Sequence, residues 1–273
     1  MSGTLYIVAT PIGNLEDITY RAVRVLGEVD RIACEDTRQT RKLLDRYGIS
    51  KPLVSYHEHN EQSRTEQLLR DLEAGLNVAL VSDAGTPLVS DPGYRLVEAA
   101  RERRVVVSPV PGPSAILASL SASGLPTDSF LFLGFLPAKA GQRRAVLEEN
   151  KATTATLVCY EAPHRVLETL DDVAAVLGSR PVVLARELTK IHEEFLRGTA
   201  AELVSSLRER GPLKGEITLM IGKGEPIEAD ATPIDERVEK LIEAGLSRME
   251  ALKTVARQRG LSKREVYKQV TKR

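Results

Sequence analysis

Residues 78–93 read VALVSDAGTPLVSDPG, and this stretch decides the fold. Val78 to Ser82 is a continuous apolar run of strand length, and it passes directly into Ser82-Asp-Ala-Gly-Thr-Pro87 and then Ser90-Asp-Pro-Gly93. The same grammar recurs upstream, where Leu5–Ala9 runs into Ala9-Thr-Pro-Ile-Gly-Asn14. It recurs downstream, where Val105–Val107 runs into Pro109-Val-Pro-Gly-Pro-Ser-Ala115. Helical patterns lie between these runs. Ala22, Val25, Leu26 and Val29 share one helical face. Ser63 with Glu66 forms a capping box ahead of Leu68, Leu69 and Leu72, and Gly75 closes that helix. Strand, Gly/Pro loop and helix in alternation predict an α/β layer with a largely parallel sheet.

Working outward, Ser119 to Thr127 (SLSASGLPT) reads as a small-residue linker to a second α/β block. Its strand candidates are Phe130–Leu136, Thr156–Tyr160, Pro181–Ala185, Glu194–Arg197 and Glu216–Ile221. One helix starts at Pro163 and ends at Gly178; another starts with the box Thr199/Glu202 and stops before Gly211. Short strands with polar ends predict a mixed second sheet. After Gly224 the texture changes. Glu225 to Pro233 (EPIEADATP) reads as a linker, followed by three short helices, two of them opened by the boxes Ser247/Glu250 and Ser262/Glu265 with Gly260 between. That outline resembles a helix-turn-helix. The expected organisation is therefore an N-terminal α/β domain over 1–122, a second α/β domain over 123–225, and a basic helical region over 234–273.

Composition narrows the function classes. The 273 residues carry 38 Lys+Arg against 38 Asp+Glu, with 42% hydrophobic residues, which is the balance of a globular chain rather than a disordered one. The longest uncharged apolar run, Phe130–Ala138, is half of the ~18 residues that a membrane span needs, so no membrane association is expected. No secretory signal is expected either, because no basic region precedes a long apolar stretch. Two cysteines, Cys34 and Cys159, are too few for a disulfide framework and point to a reducing cytoplasm. The neutral total hides an asymmetry: from Arg248 to Arg273 nine Lys/Arg face only Glu250 and Glu265. A basic tail on a slightly acidic body fits a nucleic-acid arm; the alternative is a solvated helix face.

The three strand-following loops are the candidate site. In an open α/β sheet, ligands lie beyond the carboxyl ends of the strands. Three such loops in register, one with Asp83 in its centre, favour a site over three ordinary turns. Ser114 is suited to cap the helix that follows it. Nucleotide phosphate loops are missing: there is neither GxxxxGK[ST] nor GxGxxG after a strand. His57 and His59 in YHEH are the only paired histidines, and polar loop positions account for them better than zinc, so no metal is expected. No GxSxG turn supports a serine hydrolase.

Taken together, VATPIGNLEDIT, CEDTRQTRKLL, SYHEHNE, LVSDAGTPLVSDPG, PVPGPSA, YEAPHR and RELTKIHEEFLRGT closely resemble the ribosomal RNA small subunit methyltransferase I family, a branch of the tetrapyrrole methylase superfamily of S-adenosylmethionine enzymes. The resemblance covers nearly the whole chain. It implies two α/β domains with the cofactor in the cleft between them, a helical appendage, and a homodimer. It implies S-adenosyl-L-methionine contacts from Pro11, Asp83, Ala84, Gly85, Thr86, Ser114, Ala115, Tyr160, Glu161 and Ala162, with Leu188, Gly215, Glu216 and Ile217 as further candidates. For Glu161 a structural carboxylate capping the helix from Pro163 is the competing role.

The implied reaction is 2′-O-methylation of a cytidine in the decoding region of 16S rRNA, on the free RNA or the small ribosomal subunit. Asp36 and Lys190 are then the catalytic candidates, with Glu193 and Glu194 nearby. Glu35, Arg38 and Arg41 are candidates on the RNA side, although an ion-paired surface loop is the alternative for CEDTR. Lys253, Arg257, Lys263 and Arg264 of the tail are phosphate candidates. Two other functions compete: a tetrapyrrole-precursor methylase of the same fold, and a non-catalytic nucleic-acid-binding regulator.

Overall fold

A computed structural model describes residues 2–225, 232–259 and 261–270, the side chains of 257–259 excepted. The chain forms two compact units, Met1–Gly224 and Glu225–Arg273. The first unit opens with β1 (Thr4–Val8), α1 (Tyr20–Glu28), β2 (Arg31–Cys34), α2 (Thr37–Arg46), β3 (Leu53–Ser55), α3 (Glu61–Glu73), β4 (Val78–Val81), α4 (Tyr94–Glu102), β5 (Val106–Val110) and α5 (Ala115–Ser123). Its five strands form one parallel sheet in the order β3-β2-β4-β1-β5. Successive side chains of a strand point to opposite faces, and β4 is buried on both. Val78 and Leu80 pack with Leu68, Leu69, Leu72 and Leu96 on one side. Ala79 and Val81 pack with Ala22, Val25 and Leu26 on the other. An unbroken apolar run is what such a central parallel strand requires.

The second sheet is mixed. It follows β6 (Phe130–Phe135), α6 (Ala140–Glu149), β7 (Thr156–Glu161), α7 (Val166–Leu177), β8 (Pro181–Arg186), β9 (Glu194–Thr199), α8 (Ala200–Arg210) and β10 (Ile217–Ile221). The order is β6-β7-β10-β8-β9, parallel only between β6 and β7. α6, α7 and α8 cover one face through Leu147, Leu170, Val173, Leu203 and Leu207.

The other face corrects two expectations. Ser119 to Thr127 is no linker as far as Ser123: it is the second half of α5, and the boundary expected after residue 122 falls inside that helix. Ile116 and Leu120 pack against Val158, Val183, Ala185 and Met220 of the second sheet. Small residues let the helix lie close, and the buried Ser119 and Ser123 hydroxyls return to the carbonyls of Ile116 and Leu120. The Arg197 guanidinium donates to the carbonyls of Ala122 and Ser123, satisfying the helix end. The Ser63/Glu66 capping box also fails. Ser63 is inside α3, whose N-cap is Asn60, and Glu66 instead pairs with Arg103.

In the second unit, α9 (Ile234–Glu243), α10 (Arg248–Arg259) and α11 (Lys263–Val270) close around Val238, Ala251, Leu252, Val255 and Val266. Reciprocal side-chain and backbone bonds cap α10 through Ser247 and Glu250, and α11 through Ser262 and Glu265. Most of the linker expected over 225–233, and the Gly260 turn, lie outside the described residues. No helix among the described residues is long and apolar enough to cross a membrane.

One buried ion pair anchors the second sheet's edge. Arg143, 1% exposed, donates from Nε to Asp172 Oδ2 at 2.6 Å and from Nη1 to the Ala138 carbonyl at 3.2 Å. Arg143→Ala leaves Asp172 buried and half-compensated by Arg144. The expected loss is roughly 3 kcal/mol, the lower end for a broken buried pair, to be read from urea unfolding midpoints against a smaller loss for the double substitution Arg143→Met/Asp172→Leu.

Candidate functional site

The parallel sheet dictates where the site lies. From β1 the chain crosses toward β2 on one side, and from β4 it crosses toward β5 on the other, so the crevice beyond adjacent β1 and β4 is a topological switch point. The loops after these two strands are tied there by an isolated antiparallel bridge between Thr10 and Gly85, with N–H to O distances of 2.9 and 3.0 Å. The loop after β5 joins them where the Thr86 hydroxyl donates to the Pro113 carbonyl at 3.3 Å. Ser114 caps α5 as expected, accepting from the Leu117 amide.

A cleft of about 310 Å³ opens beside this bridge. It gathers twelve of the fourteen expected cofactor residues: Ala84, Gly85, Thr86, Ser114 and Ala115 from the first sheet's loops, and Tyr160, Glu161, Ala162, Leu188, Gly215, Glu216 and Ile217 from the second sheet. Pro11 and Asp83 are not among its walls. They line a neighbouring cavity of about 230 Å³ with Thr10, Leu15, Gln39, Thr40, Lys42, Leu43 and Ser82.

The two sheets meet tightly at this cleft. The Asn14 amide donates to Thr189 Oγ1 at 3.0 Å, and a Cβ at Gly13 would fall 2.6 Å from Lys190 Cγ and 2.8 Å from Thr189 Oγ1. Only glycine fits there. Glu187 and Thr189 adopt positive φ angles of 50° and 64° on one side, and Leu88 and Ser90 angles of 73° and 67° on the other. Strained non-glycine backbone concentrated at a cleft is a signature of a functional site.

Each expected polar residue has a defined place. Glu161, 2% exposed, accepts from the Ala162 amide at 2.7 Å and from the Thr169 hydroxyl at 2.5 Å, and it pairs with Arg165. Its oxygens are therefore committed to the start of α7. Asp36 caps α2, accepting from the Arg38 amide at 2.8 Å and from the Arg38 guanidinium at 2.7 Å. Those bonds hold its pKa down at about 2. The Asp36 amide in turn donates to Asp83 Oδ1 at 3.0 Å, which brings the CEDTR loop to the switch point. Glu35 lies beside them with a pKa raised by burial and by Asp83.

Lys190 Nζ bonds Glu187 at 2.8 Å and Glu216 at 3.0 Å. Burial opposes its charge, but these carboxylates outweigh burial and raise its pKa, so it stays an ammonium. Glu193 accepts from the Thr189 amide, and Glu194 pairs with Arg186 and Arg210. Arg41 is exposed on α2; Lys253, Lys263 and Arg264 are exposed on the helical unit. The side chain of Arg257 lies outside the described residues.

The sequence reading missed Val89, Ser90, Asp91, Phe135 and Thr218, which also line the cleft. Asp91 carries the most chemistry. Its signal was present, since it sits in the SDPG turn that follows β4. Gly93 anchors that turn through its amide on Glu61 Oε1, with φ of 134° where a Cβ would strike Leu80. Phe135 and Tyr160 rings lie 5.5 Å apart, giving the cleft an aromatic wall.

Burial first, then the charges of Glu35 and Asp83, lift Asp91 to about 6 from the ordinary 3.8, against a lowering bond from Ser82. The folded protein thus keeps a proton that the unfolded chain releases between about pH 4 and 6, and Asp91 subtracts stability as pH rises through that window. Asp91→Asn should leave stability unchanged near pH 4 and raise it above pH 6 by of order 1 kcal/mol, because solvent screens a half-buried carboxylate. Urea midpoints across the window check this.

Residues 4–204 match the family model described as Tetrapyrrole (Corrin/Porphyrin) Methylases. The chain is 53% identical over 272 residues to "Ribosomal RNA small subunit methyltransferase I" of Halalkalibacterium halodurans, covering 97% of this chain and 93% of that one. It is 48% identical over 269 residues to the protein of the same name from Escherichia coli O157:H7, covering 97% and 94%. Among solved structures, uroporphyrin-III C-methyl transferase from Thermus thermophilus complexed with S-adenyl homocysteine shares the fold, with a TM-score of 0.57, 21% identity, and coverage of 81% and 97%. The cleft at the switch point is thus the cleft of a methylase fold, and the chain belongs to the ribosomal RNA small subunit methyltransferase I family of the tetrapyrrole methylases.

Proposed function

We propose that this methyltransferase transfers a methyl group from S-adenosyl-L-methionine to the ribose 2′-hydroxyl of a cytidine in 16S rRNA, on the free RNA or the small ribosomal subunit. The observation that carries the reading is the cleft itself, with its small-residue loops and aromatic wall facing carboxylates. The donor set fits the cofactor. Asp91 and Glu216 suit a ligand with ammonium and sulfonium charges, while Phe135, Tyr160, Val89 and Leu188 supply apolar surface for an adenine. When bound, the cofactor supplies an activated methyl on a cationic sulfur.

The chain's own residues then have to hold the acceptor in line and keep water out. Asp36, kept ionised by Arg38, acts through charge and position on the acceptor side. Lys190 does the same from the second sheet, fixed by its two carboxylates. In this reading residues 1–122 and 123–225 act as two domains around the cofactor, the enzyme works as a homodimer in the cytoplasm, and the exposed cations of the helical unit hold rRNA phosphates. A tetrapyrrole-precursor methylase of the same fold is the competing reading, and an enzyme of that kind has no use for a basic helical unit.

Incubation with labelled S-adenosylmethionine and undermethylated small subunits, free rRNA or a tetrapyrrole separates these readings. Label in the ribose of one 16S cytidine is expected; label in the tetrapyrrole alone would overturn the proposal. The helical unit gives a second expectation. Deleting residues 225–273 leaves the compact unit Met1–Gly224. That body should retain its cofactor affinity by calorimetry, while its RNA affinity falls. The slope of log K against log salt should become shallower by about 0.7–0.9 for each phosphate that the helical unit no longer neutralises.

A further inference from the structure

We propose that the cavity lined by Pro11, Leu15, Gln39, Thr40, Lys42 and Asp83 is the pocket for the acceptor nucleoside, a single unstacked pyrimidine of the RNA. This rests on the rRNA-methylation reading and adds the substrate site to it. Three observations carry it.

The first is position. The Thr10–Gly85 bridge is a wall with a cavity on each side, and neighbouring residues of the same loops divide between them. Ile12, Ala84 and Gly85 face the larger cleft, whereas Thr10, Pro11, Ser82 and Asp83 line the smaller one. A group carried in one cavity is then one loop's thickness from a group carried in the other, with Asp83 at the seam. Methyl transfer in line needs that arrangement of donor and acceptor.

Size is the second observation. About 230 Å³ is below the roughly 300 Å³ at which pockets for drug-sized ligands begin, so one nucleoside is the natural occupant. An enzyme acting on one nucleotide of a structured RNA takes that nucleotide out of its stack. Pro11, Leu15 and Leu43 give the apolar surface against which an extruded base can lie.

The third is polarity. Thr40 is 4% exposed, and its hydroxyl finds no hydrogen-bond partner among the described residues beyond the weakly bonding Cys34 thiol. A buried hydroxyl left without a partner has a cost that a ligand relieves. At the rim, Lys42 Nζ donates to Gln39 Oε1 at 3.2 Å, which engages the amide's acceptor and leaves the Gln39 NH2 and the remaining Lys42 protons free. The pair therefore presents donors only. Cytosine offers two adjacent acceptors on its pairing edge, O2 and N3; uracil places an N–H donor between its acceptors. The pocket discriminates in favour of cytosine.

Gln39 and Lys42 are exposed on α2, and Leu15 is 41% exposed, so substitutions there leave the core intact. Leu15→Trp fills the mouth of the cavity. It should lower methyl transfer to small subunits by a hundredfold or so while cofactor affinity stays within about threefold, and it should weaken binding of small subunits to the cofactor-loaded protein. Gln39→Ala should narrow the preference for cytidine over uridine at the target position by about tenfold, as expected for one bidentate base contact. Wild-type subunit binding and transfer by both variants would overturn the pocket. Label appearing in a tetrapyrrole and not in RNA, with subunit binding still weakened in Leu15→Trp, would overturn the reaction but keep the pocket. The two failures are thus distinguishable.

Discussion

Two hydrogen bonds between Thr10 and Gly85 hold the molecule's working part together. They join the loops after β1 and β4, the two strands whose onward connections leave in opposite directions, and so they keep open the crevice that this topology creates. Everything functional is arranged about that bridge. The larger cleft lies against Ala84–Ser90 and the smaller cavity against Ser82–Asp83 and α2. Beyond the bridge the first loop reaches the second sheet at Gly13 and Asn14, where any side chain larger than hydrogen would push the Leu188–Lys190 segment away. One short loop thus sets the spacing of both halves of the cleft.

α5 supplies the second constraint. It follows the parallel sheet in sequence, yet its buried face packs on the mixed sheet. A helix of Ala and Ser approaches a sheet closely enough to make a continuous apolar seam, and its hydroxyls add no unsatisfied polar group because each is returned to its own helix. The same features misled the reading of the sequence. Ser, Ala and Gly in succession carry the composition of a linker, and composition does not say that Ile116 and Leu120 have the far side of a sheet to meet.

Most of the parallel sheet was legible for the opposite reason. Val78–Val81 is apolar at every position because both faces are covered, and that pattern survives without knowledge of any neighbour. The loops were legible because Gly and Pro sit where the backbone turns. The Ser63/Glu66 box was a false signal: the spacing is right, but the helix begins two residues earlier, at Glu61, whose carboxylate is used by Gly93 and Tyr56. Glu161 shows where the resemblance was incomplete. Its motif points to the cleft and its residue lines the cleft, while its oxygens are spent on Thr169, Ala162 and Arg165. Asp91 shows the converse. It was written in the same stretch that decides the fold, but a raised pKa comes from burial and from Glu35 and Asp83, which only folding brings near.

The charges of the cleft impose a division of labour. Glu35, Asp83 and Asp91 are close enough to raise one another's cost of ionisation, and the nearby cations are already held: Arg38 by Asp36, Lys190 by Glu187 and Glu216. Such a site attracts a cationic cofactor. It repels a polyanion, and it does so most where the acceptor must enter. Affinity for an RNA backbone has to come from cations placed elsewhere, and the chain has them: Arg41 on α2, and Lys253, Lys263 and Arg264 on the helical unit. Phosphate contacts there can supply binding energy without sequence information, leaving the identity of the nucleotide to the few neutral and donor groups at the rim of the smaller cavity. In the proposed reaction the basic helices are therefore the electrostatic counterpart of an acidic site, which cannot hold its own substrate by charge.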